Sequence, residues 1–95
     1  MASYQLTEEA DADLTNILRL GVHQFGLQQA ETYYNQLVTR LESIAENPRL
    51  YQVVEEIPEA YRRSVFRSHS IYYEITESSV VVIRILGSQD LKTAF

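Results

Sequence analysis

The sequence has no cysteine, and in 95 residues it has only one lysine and two histidines. The absence of cysteine excludes disulfide scaffolds, thiolate metal sites and thiol nucleophiles. The histidines, His23 and His69, lie far apart and form no recognisable metal-binding motif. We therefore expect neither a metal site nor a cofactor.

Long apolar runs are also missing. No segment approaches the length needed to cross a membrane. The first residues, MASYQLTEEADAD, are acidic where a secretory signal needs a basic stretch followed by an apolar one. These two features predict a cytoplasmic protein without membrane contact.

Charge is unevenly distributed along the chain, whose formal net charge is -5. Residues 1–61 carry ten acidic residues and three arginines, whereas residues 62–95 carry five basic and three acidic residues. Nucleic-acid affinity is built largely from clustered cations, so this acidic balance argues against sustained contact with phosphates. We expect no direct sequence-specific nucleic-acid binding, although YRRSVFRSHSIYYEI, residues 61–75, forms a local basic segment.

The first half of the chain has helical periodicity. After a short strand at residues 3–6, Thr7 is placed as the cap of a helix over residues 8–25, with four acidic residues near its amino end. A second apolar pattern of period 3.6 begins after Gly26 and stops at Asn47-Pro48. So short a connection predicts an antiparallel helical hairpin.

The second half changes to a period of two and to strand-favouring residues. Three consecutive antiparallel strands are predicted, at residues 62–68, 70–76 and 80–86, with turns at SHS and ESS. Residues 51–61 read as an extended connector with a possible short edge strand. A chain this short buries only about 60 to 65 % of its unfolded surface, so one domain, residues 1–95, is expected. The fold class is α+β, with the order β-α-α-β-β-β and an antiparallel sheet carrying the helical hairpin on one face.

Alternation along the last strand predicts which side chains face the helices. Val81, Ile83 and Ile85 are expected to do so. The opposite face is then formed by Val80, Val82, Arg84 and Leu86. Two helices cover only one side of a small sheet, so this apolar face must be sheltered either by Tyr and Arg side chains or by a second protein.

The arginines of the basic segment divide by the same alternation. Arg63, Val65, Arg67 and His69 share one face of their strand, and Arg62 lies on the other. If Val65 faces the helices, Arg63 and Arg67 either pair with helix carboxylates such as those of Glu42 and Glu46 or bind a partner.

Three other side chains carry specific expectations. Arg84 lies in an apolar strand and needs a carboxylate, for which Asp90 and an acidic residue of a partner chain are the candidates. His69 is expected in a turn, bonding to neighbouring backbone rather than acting in catalysis. Tyr72 is a candidate aromatic anchor.

Five segments of the chain resemble, in order and spacing, the ParE-type toxins of the RelE/ParE superfamily. They are YQLTEEADADLTNI, FGLQQAETYYNQL, ENPRLY, YRRSVFRSHSIYYEI and VVVIRILGSQD. The resemblance implies the toxin of a bacterial type II toxin-antitoxin pair. A ParD-like antitoxin would wrap the toxin in a hetero-oligomer, and the target would be DNA gyrase, inhibited without enzymatic activity.

The residues expected to contact the antitoxin or the target come from the basic segment and the last strand. They are Arg62, Arg63, Arg67, His69, Tyr72, Val80, Val82, Arg84, Leu86 and Asp90.

Two rival functions stay open from the sequence. RelE-type relatives cut messenger RNA on the ribosome, but the tail here offers no catalytic tyrosine or histidine, and the net charge of -5 opposes RNA binding. Family members commonly place a histidine where this chain has Gly87, and a short basic helix after the position of Asp90. The second rival is therefore a toxin-fold protein that has lost toxicity and only binds an antitoxin.

Overall fold

A computed structural model of the chain describes residues 3–87 and 94–95. Its element order is β1 (Tyr4–Leu6), α1 (Glu8–Phe25), α2 (Leu27–Glu46), β2 (Arg62–Phe66), β3 (His69–Ile75) and β4 (Val80–Leu86). This confirms the predicted β-α-α-β-β-β architecture with a helical hairpin. Asp90 lies outside the described residues.

Local chemistry explains where the helices begin and end. The Thr7 hydroxyl accepts the backbone N–H of Ala10 at 3.0 Å and donates to the carbonyl of Ile83 at 2.8 Å. It therefore caps α1 and also ties it to β4. Gly26 separates the helices with φ 89° and ψ 164°, a backbone conformation open essentially only to glycine.

The sheet has the strand order β1-β4-β3-β2. Strands β2, β3 and β4 pair in the predicted antiparallel manner. Strand β1 instead pairs in parallel with β4, from Tyr4 opposite Val80 to Leu6 opposite Val82, so the sheet is mixed. A period of two in the sequence indicates which residues share a face of a strand, but it does not indicate the direction of the strand. Parallel pairing is possible because a long connection, which includes both helices, separates β1 from β4.

The core between helices and sheet uses a partly different set of β4 residues from the predicted one. Val80, Val82 and Ile85 are buried in the cluster that contains the helix residues, whereas Val81 and Ile83 are only half-buried. A register shift is responsible, because Tyr72 pairs with Arg84 and Tyr73 with Val82. The irregularity adds one residue to β4, and an added residue reverses the alternation. The prediction is confirmed for Ile85 and Leu86 and is wrong for Val80, Val81, Val82 and Ile83.

The opposite face of the sheet is covered by the chain itself. Its cluster consists of Val54, Ile57, Tyr72 and Leu86, with Tyr61, Ala94 and Phe95 packed against it. The Phe95 ring lies edge-on to Tyr72 at 5.1 Å between centroids. The connector predicted as extended supplies most of the cover and adds one bridge, Val53 to Arg62. The inference of a second protein from an uncovered apolar sheet face is therefore wrong.

Candidate binding surface at the end of the helical hairpin

Burial decreases along the apolar stripe of α1. Ala10 and Leu14 are buried in the core, and Ile17 is half-buried. Further along, Leu20 is 59 % exposed and Phe25 is 61 % exposed. The apolar stripe thus continues beyond the part that this chain buries, and exposed apolar side chains that lie together are typical of an interaction site.

Helix α2 shows the same trend in reverse. Leu27 at its start is 60 % exposed, whereas Leu37 and Leu41 further along are fully buried. A Cβ added at Gly21 would lie 3.2 Å from the Ala30 Cβ, so the helices approach closely near their junction and leave no room there for a large side chain. A depression with a volume of about 540 Å³ lies beside this close approach, and we call it the distal groove. It is lined by Ile17, Leu20, Gly21, Gln24, Phe25, Gln29, Ala30, Thr32, Tyr33, Gln36, Arg67, Ser68 and His69.

One end of the distal groove is polar. It is formed by the two-residue turn of Arg67 and Ser68, which joins β2 to β3 through the pair Phe66 and His69. Arg67 has φ 53°, and its exposed guanidinium lies 5.5 Å from the centre of the Phe66 ring. The groove thus combines apolar walls with a cation at one end.

The prediction that His69 lies in a turn is wrong, because His69 is the first residue of β3. Its Nδ1 lies 2.6 Å from the Tyr33 hydroxyl, a side chain of α2 rather than neighbouring backbone. Burial lowers the pKa of His69 and favours the neutral ring. With the proton on Nε2, the Tyr33 hydroxyl donates to Nδ1 and fixes the ring at the groove wall.

Arg84 finds its carboxylate in α1. Its Nε and Nη2 donate to the two oxygens of Asp13 at 2.7 and 3.0 Å. The predicted alternative of a partner's carboxylate is thus wrong for this arginine, and the other candidate, Asp90, lies outside the described residues. The bond to Asp13 raises the pKa of Arg84. The pair is internal, which makes it a structural tie.

The two arginines of β2 also donate hydrogen bonds within the chain. Arg62 donates from Nη1 to the Tyr51 carbonyl at 2.6 Å. Arg63 is half-buried, and its backbone N–H donates to the Gln52 carbonyl at 3.1 Å. Val65 is exposed and Ser64 is buried, so Val65 faces away from the helices. The predicted pairing of Arg63 and Arg67 with Glu42 or Glu46 required Val65 to face the helices, so it is not observed. Within residues 3–87 and 94–95, the ion pair is that of Arg84 with Asp13.

Sequence reasoning missed Arg40. Its guanidinium donates to the Ser64 hydroxyl at 2.9 Å and the Val65 carbonyl at 3.0 Å, and it lies 5.1 Å from the Phe66 ring centre. Arg40 lies in the periodic pattern of α2, where an arginine is typical of a solvated helix face. Its partners Ser64 and Val65 lie 24 and 25 positions further along the chain, so no local pattern in the sequence indicates these contacts.

The remaining predicted binding residues lie inside the fold. Tyr72, Val80, Val82 and Leu86 are buried, which leaves them little surface for contact with a partner. Among the surfaces that the structure describes, the distal groove is the one that sequence reasoning missed. Its available signal was the run LGVHQFGLQQA, residues 20–30, which combines large apolar side chains with no charge at the hairpin junction.

Several described side chains that could act as acids or bases are held in internal hydrogen bonds. The Tyr73 hydroxyl donates to the Pro48 carbonyl at 2.6 Å, and burial raises the pKa of Tyr73 to about 12. His69 is bonded to Tyr33, and Arg84 to Asp13. In the same ranges, no three acidic or histidine side chains are close enough to hold a metal ion. Neither described helix has the length and apolar character to span a membrane.

Comparison with known proteins identifies the family. The family model described as "ParE toxin of type II toxin-antitoxin system, parDE" matches residues 4–91. The chain belongs to the ParE toxin family. It is accordingly a ParE-type toxin of a type II toxin-antitoxin system, within the RelE/ParE superfamily.

Curated ParE toxins are similar over nearly the whole chain. Toxin ParE1 of Caulobacter vibrioides is 35 % identical over 86 residues, which cover 90 % of this chain and 88 % of that protein. Toxin ParE1 of Mycobacterium tuberculosis is 33 % identical over 84 residues, covering 87 % and 86 %. A solved chain of the "Chromosomal ParDE TA system from P. aeruginosa" aligns with a TM-score of 0.81 at 20 % identity, covering 94 % of this chain and 98 % of that one. At that identity the last likeness supports the ParE fold alone.

Proposed function

We propose that this ParE toxin inhibits DNA gyrase and is neutralised by a ParD-like antitoxin that lies along its helical hairpin. The observation that carries the proposal is the family match over residues 4–91. The toxin acts as a single domain in the cytoplasm, where gyrase is found.

The distal groove supports the antitoxin contact. Leu20 and Phe25 expose apolar surface beside a depression that ends at Arg67. An amphipathic segment that folds on binding buries its apolar side chains in such a groove and offers a carboxylate to the cation. Neutralisation then follows from formation of a hetero-oligomer that covers the hairpin.

A non-enzymatic mode of action is supported by how the candidate catalytic groups are used. His69, Tyr73 and Arg84 each have an internal hydrogen-bond partner, and the phenol of Tyr73 with its raised pKa is a poor proton donor or acceptor near neutral pH. The net charge of -5 also opposes approach to ribosomal RNA.

The decisive experiment is a supercoiling and cleavage assay with purified gyrase and this protein. We expect loss of supercoiling and accumulation of cleaved DNA. Adding the protein encoded by the neighbouring open reading frame should restore supercoiling. Unchanged gyrase activity at a large molar excess of the toxin would contradict the proposal.

Two assays separate the rival functions. A ribosome-dependent nuclease would leave cut messages in an in vitro translation reaction analysed by toe-printing, which a gyrase inhibitor does not. A chain that only binds antitoxin would fail to arrest growth when expressed alone.

The Gly87→His variant tests whether the departure at that position matters. A Cβ there would lie 3.9 Å from both Cδ2 and Nε2 of His69, which is an ordinary van der Waals contact. If the wild-type chain is inert and the variant arrests growth, Gly87 accounts for the lost toxicity.

A further inference from the structure

The end of the helical hairpin carries no charge. Residues 20–30, LGVHQFGLQQA, contain no aspartate, glutamate, lysine or arginine, and Arg19 and Glu31 flank them. Elsewhere the chain is rich in such residues, which make up 22 % of the whole. An exposed segment without charge is notable because Lys, Arg, Asp and Glu are found mostly at protein surfaces.

The same segment exposes the largest apolar side chains of the hairpin. Leu20, Phe25 and Leu27 are 59, 61 and 60 % exposed. Around them lie exposed glutamines, among them Gln24 and Gln28, whose amides both donate and accept hydrogen bonds. The surface therefore has an apolar centre and an uncharged polar rim, the usual composition of a protein interface.

This surface is complementary to itself. A contact between two identical chains related by a twofold axis brings the same patch together from both sides, so a charged patch would repel its copy and an uncharged one does not. Here Phe25 and Leu27 are largely exposed at the junction of the helices, and Phe25 also lines the distal groove. Exposed apolar side chains and a depression thus occur within one patch.

The placement of the negative charge favours this arrangement as well. Glu8, Glu9 and Asp11 lie in the first turn of α1, about 25 Å from Phe25 along an 18-residue helix. Two chains of net charge -5 repel each other least when they meet at their uncharged ends.

We propose that the toxin free of antitoxin pairs with a second copy of itself, with Phe25 and Leu27 of each copy packed into the distal groove of the other. The contact is isologous, and it is apolar apart from the polar end of each groove at Arg67. It uses the groove that the antitoxin is proposed to cover, so antitoxin and second copy exclude each other. The inference does not depend on the gyrase target.

The test is the mass of the free chain in solution. The protein is made by cell-free synthesis and studied by sedimentation velocity over a concentration series. We expect dimers at high concentration, and a dimer dissociation constant raised at least tenfold in Phe25→Glu and in Leu27→Glu. The matched control is Leu50→Glu, since Leu50 is 70 % exposed but lies outside the hairpin. This control should dimerise as the wild type does.

Two further measurements sharpen the result. Higher salt should leave the dimer intact or strengthen it, because salt screens repulsion between acidic chains, whereas a contact held by ion pairs would weaken. Urea unfolding of each variant establishes that it folds, and the milder Phe25→Ser variant takes the place of Phe25→Glu if that variant does not fold.

Three outcomes would overturn the inference. They are a wild-type chain that stays monomeric at every concentration, a dimer that survives Phe25→Glu, and a dimer that Leu50→Glu disrupts equally. If the monomeric chain binds antitoxin in a manner that depends on Phe25, the hairpin end serves the antitoxin alone. Self-pairing is then wrong while the proposed neutralisation stands.

Discussion

Asp13 of α1 accepts hydrogen bonds from Arg84 of β4 through both carboxylate oxygens, and its Oδ2 also accepts the backbone N–H of Ile85 at 2.9 Å. The pair is only slightly exposed. One carboxylate thus joins the helical hairpin to the strand immediately after the register shift near Tyr72 and Tyr73. Three hydrogen bonds to one charged group make Asp13 a central tie of the fold.

Replacing Asp13 by Asn should destabilise the protein by about 2 kcal/mol, because Arg84 loses its counter-charge and one amide oxygen cannot replace two carboxylate oxygens. The free energy of unfolding in urea measures the change. Asp11→Asn is the matched control, since Asp11 is exposed in the same helix. An equal loss in both variants would show that general helix electrostatics, and not the tie to Arg84, was removed.

Gly26→Ala should cost about 1 to 3 kcal/mol, because φ 89° with ψ 164° is a conformation that a Cβ makes strained. The thermal or urea midpoint reports the loss. Gly87→Ala serves as control, since the nearest atoms to a Cβ there are 3.9 Å away. We expect that variant to stay within about 0.5 kcal/mol of the wild type.

Tyr73→Phe should cost about 1 kcal/mol at neutral pH, because the buried hydroxyl donates to the Pro48 carbonyl. Burial raises the pKa of Tyr73 from 10.0 to about 12, so the folded state keeps the proton longer than the unfolded state does. The wild type should therefore lose stability as pH rises from about 10 towards 12, and the phenylalanine variant should lose less. Identical alkaline unfolding of the two proteins would contradict this assignment.

The limits of both helices could be predicted because their signals are local. Thr7 caps α1, Gly26 separates the helices, and Asn47-Pro48 ends the second periodic run, as the structure bears out. Each signal acts within a few residues of the boundary that it sets. The three consecutive antiparallel strands were found for the same reason, since short turns join them.

The faces of β4 and the partner of Arg84 depend on distant residues. The irregularity opposite Tyr72 and Tyr73 belongs to a strand pair, and no pattern within β4 reveals it. Asp13 is 71 positions from Arg84, so only the assembled fold brings them together. The cover supplied by Phe95 was equally invisible to periodicity, which is why the uncovered face was inferred wrongly.

The distal groove gives the sharpest test of antitoxin binding. Leu20→Gln and Phe25→Gln should each weaken binding of the antitoxin at least tenfold, because each removes exposed apolar area at the proposed contact. The free energy of unfolding should change by less than about 0.5 kcal/mol, since both side chains are largely in water. Titration calorimetry with the purified antitoxin measures the affinity.

Leu50→Gln is the control for that experiment. Leu50 is at least as exposed as Leu20 and Phe25, but it lies outside the helical hairpin. It should bind antitoxin as the wild type does. Full affinity in the Leu20 and Phe25 variants would place the antitoxin on another surface.

His69 should make stability depend on pH near neutrality. Burial lowers its pKa below the ordinary 6.5, so the unfolded chain takes up a proton at a higher pH than the folded chain does. Stability is then complete above about pH 6.5 and declines as pH falls from there towards the folded pKa. We expect the urea midpoint of the wild type to decrease when the pH is lowered from about 7.5 to about 5.5. This decrease should be smaller in His69→Gln.

His23→Gln provides the control, because His23 is exposed in α1 and its replacement should leave the fall unchanged. All other side chains are shared by the wild type and His69→Gln, so the difference between these two proteins isolates the imidazole of His69. A fall of the same size in His69→Gln and the wild type would mean that the neutral ring, held by Tyr33 at 2.6 Å, does not contribute to the pH dependence. The hydrogen bond would then tolerate either protonation state, with the Tyr33 oxygen accepting from a protonated Nδ1.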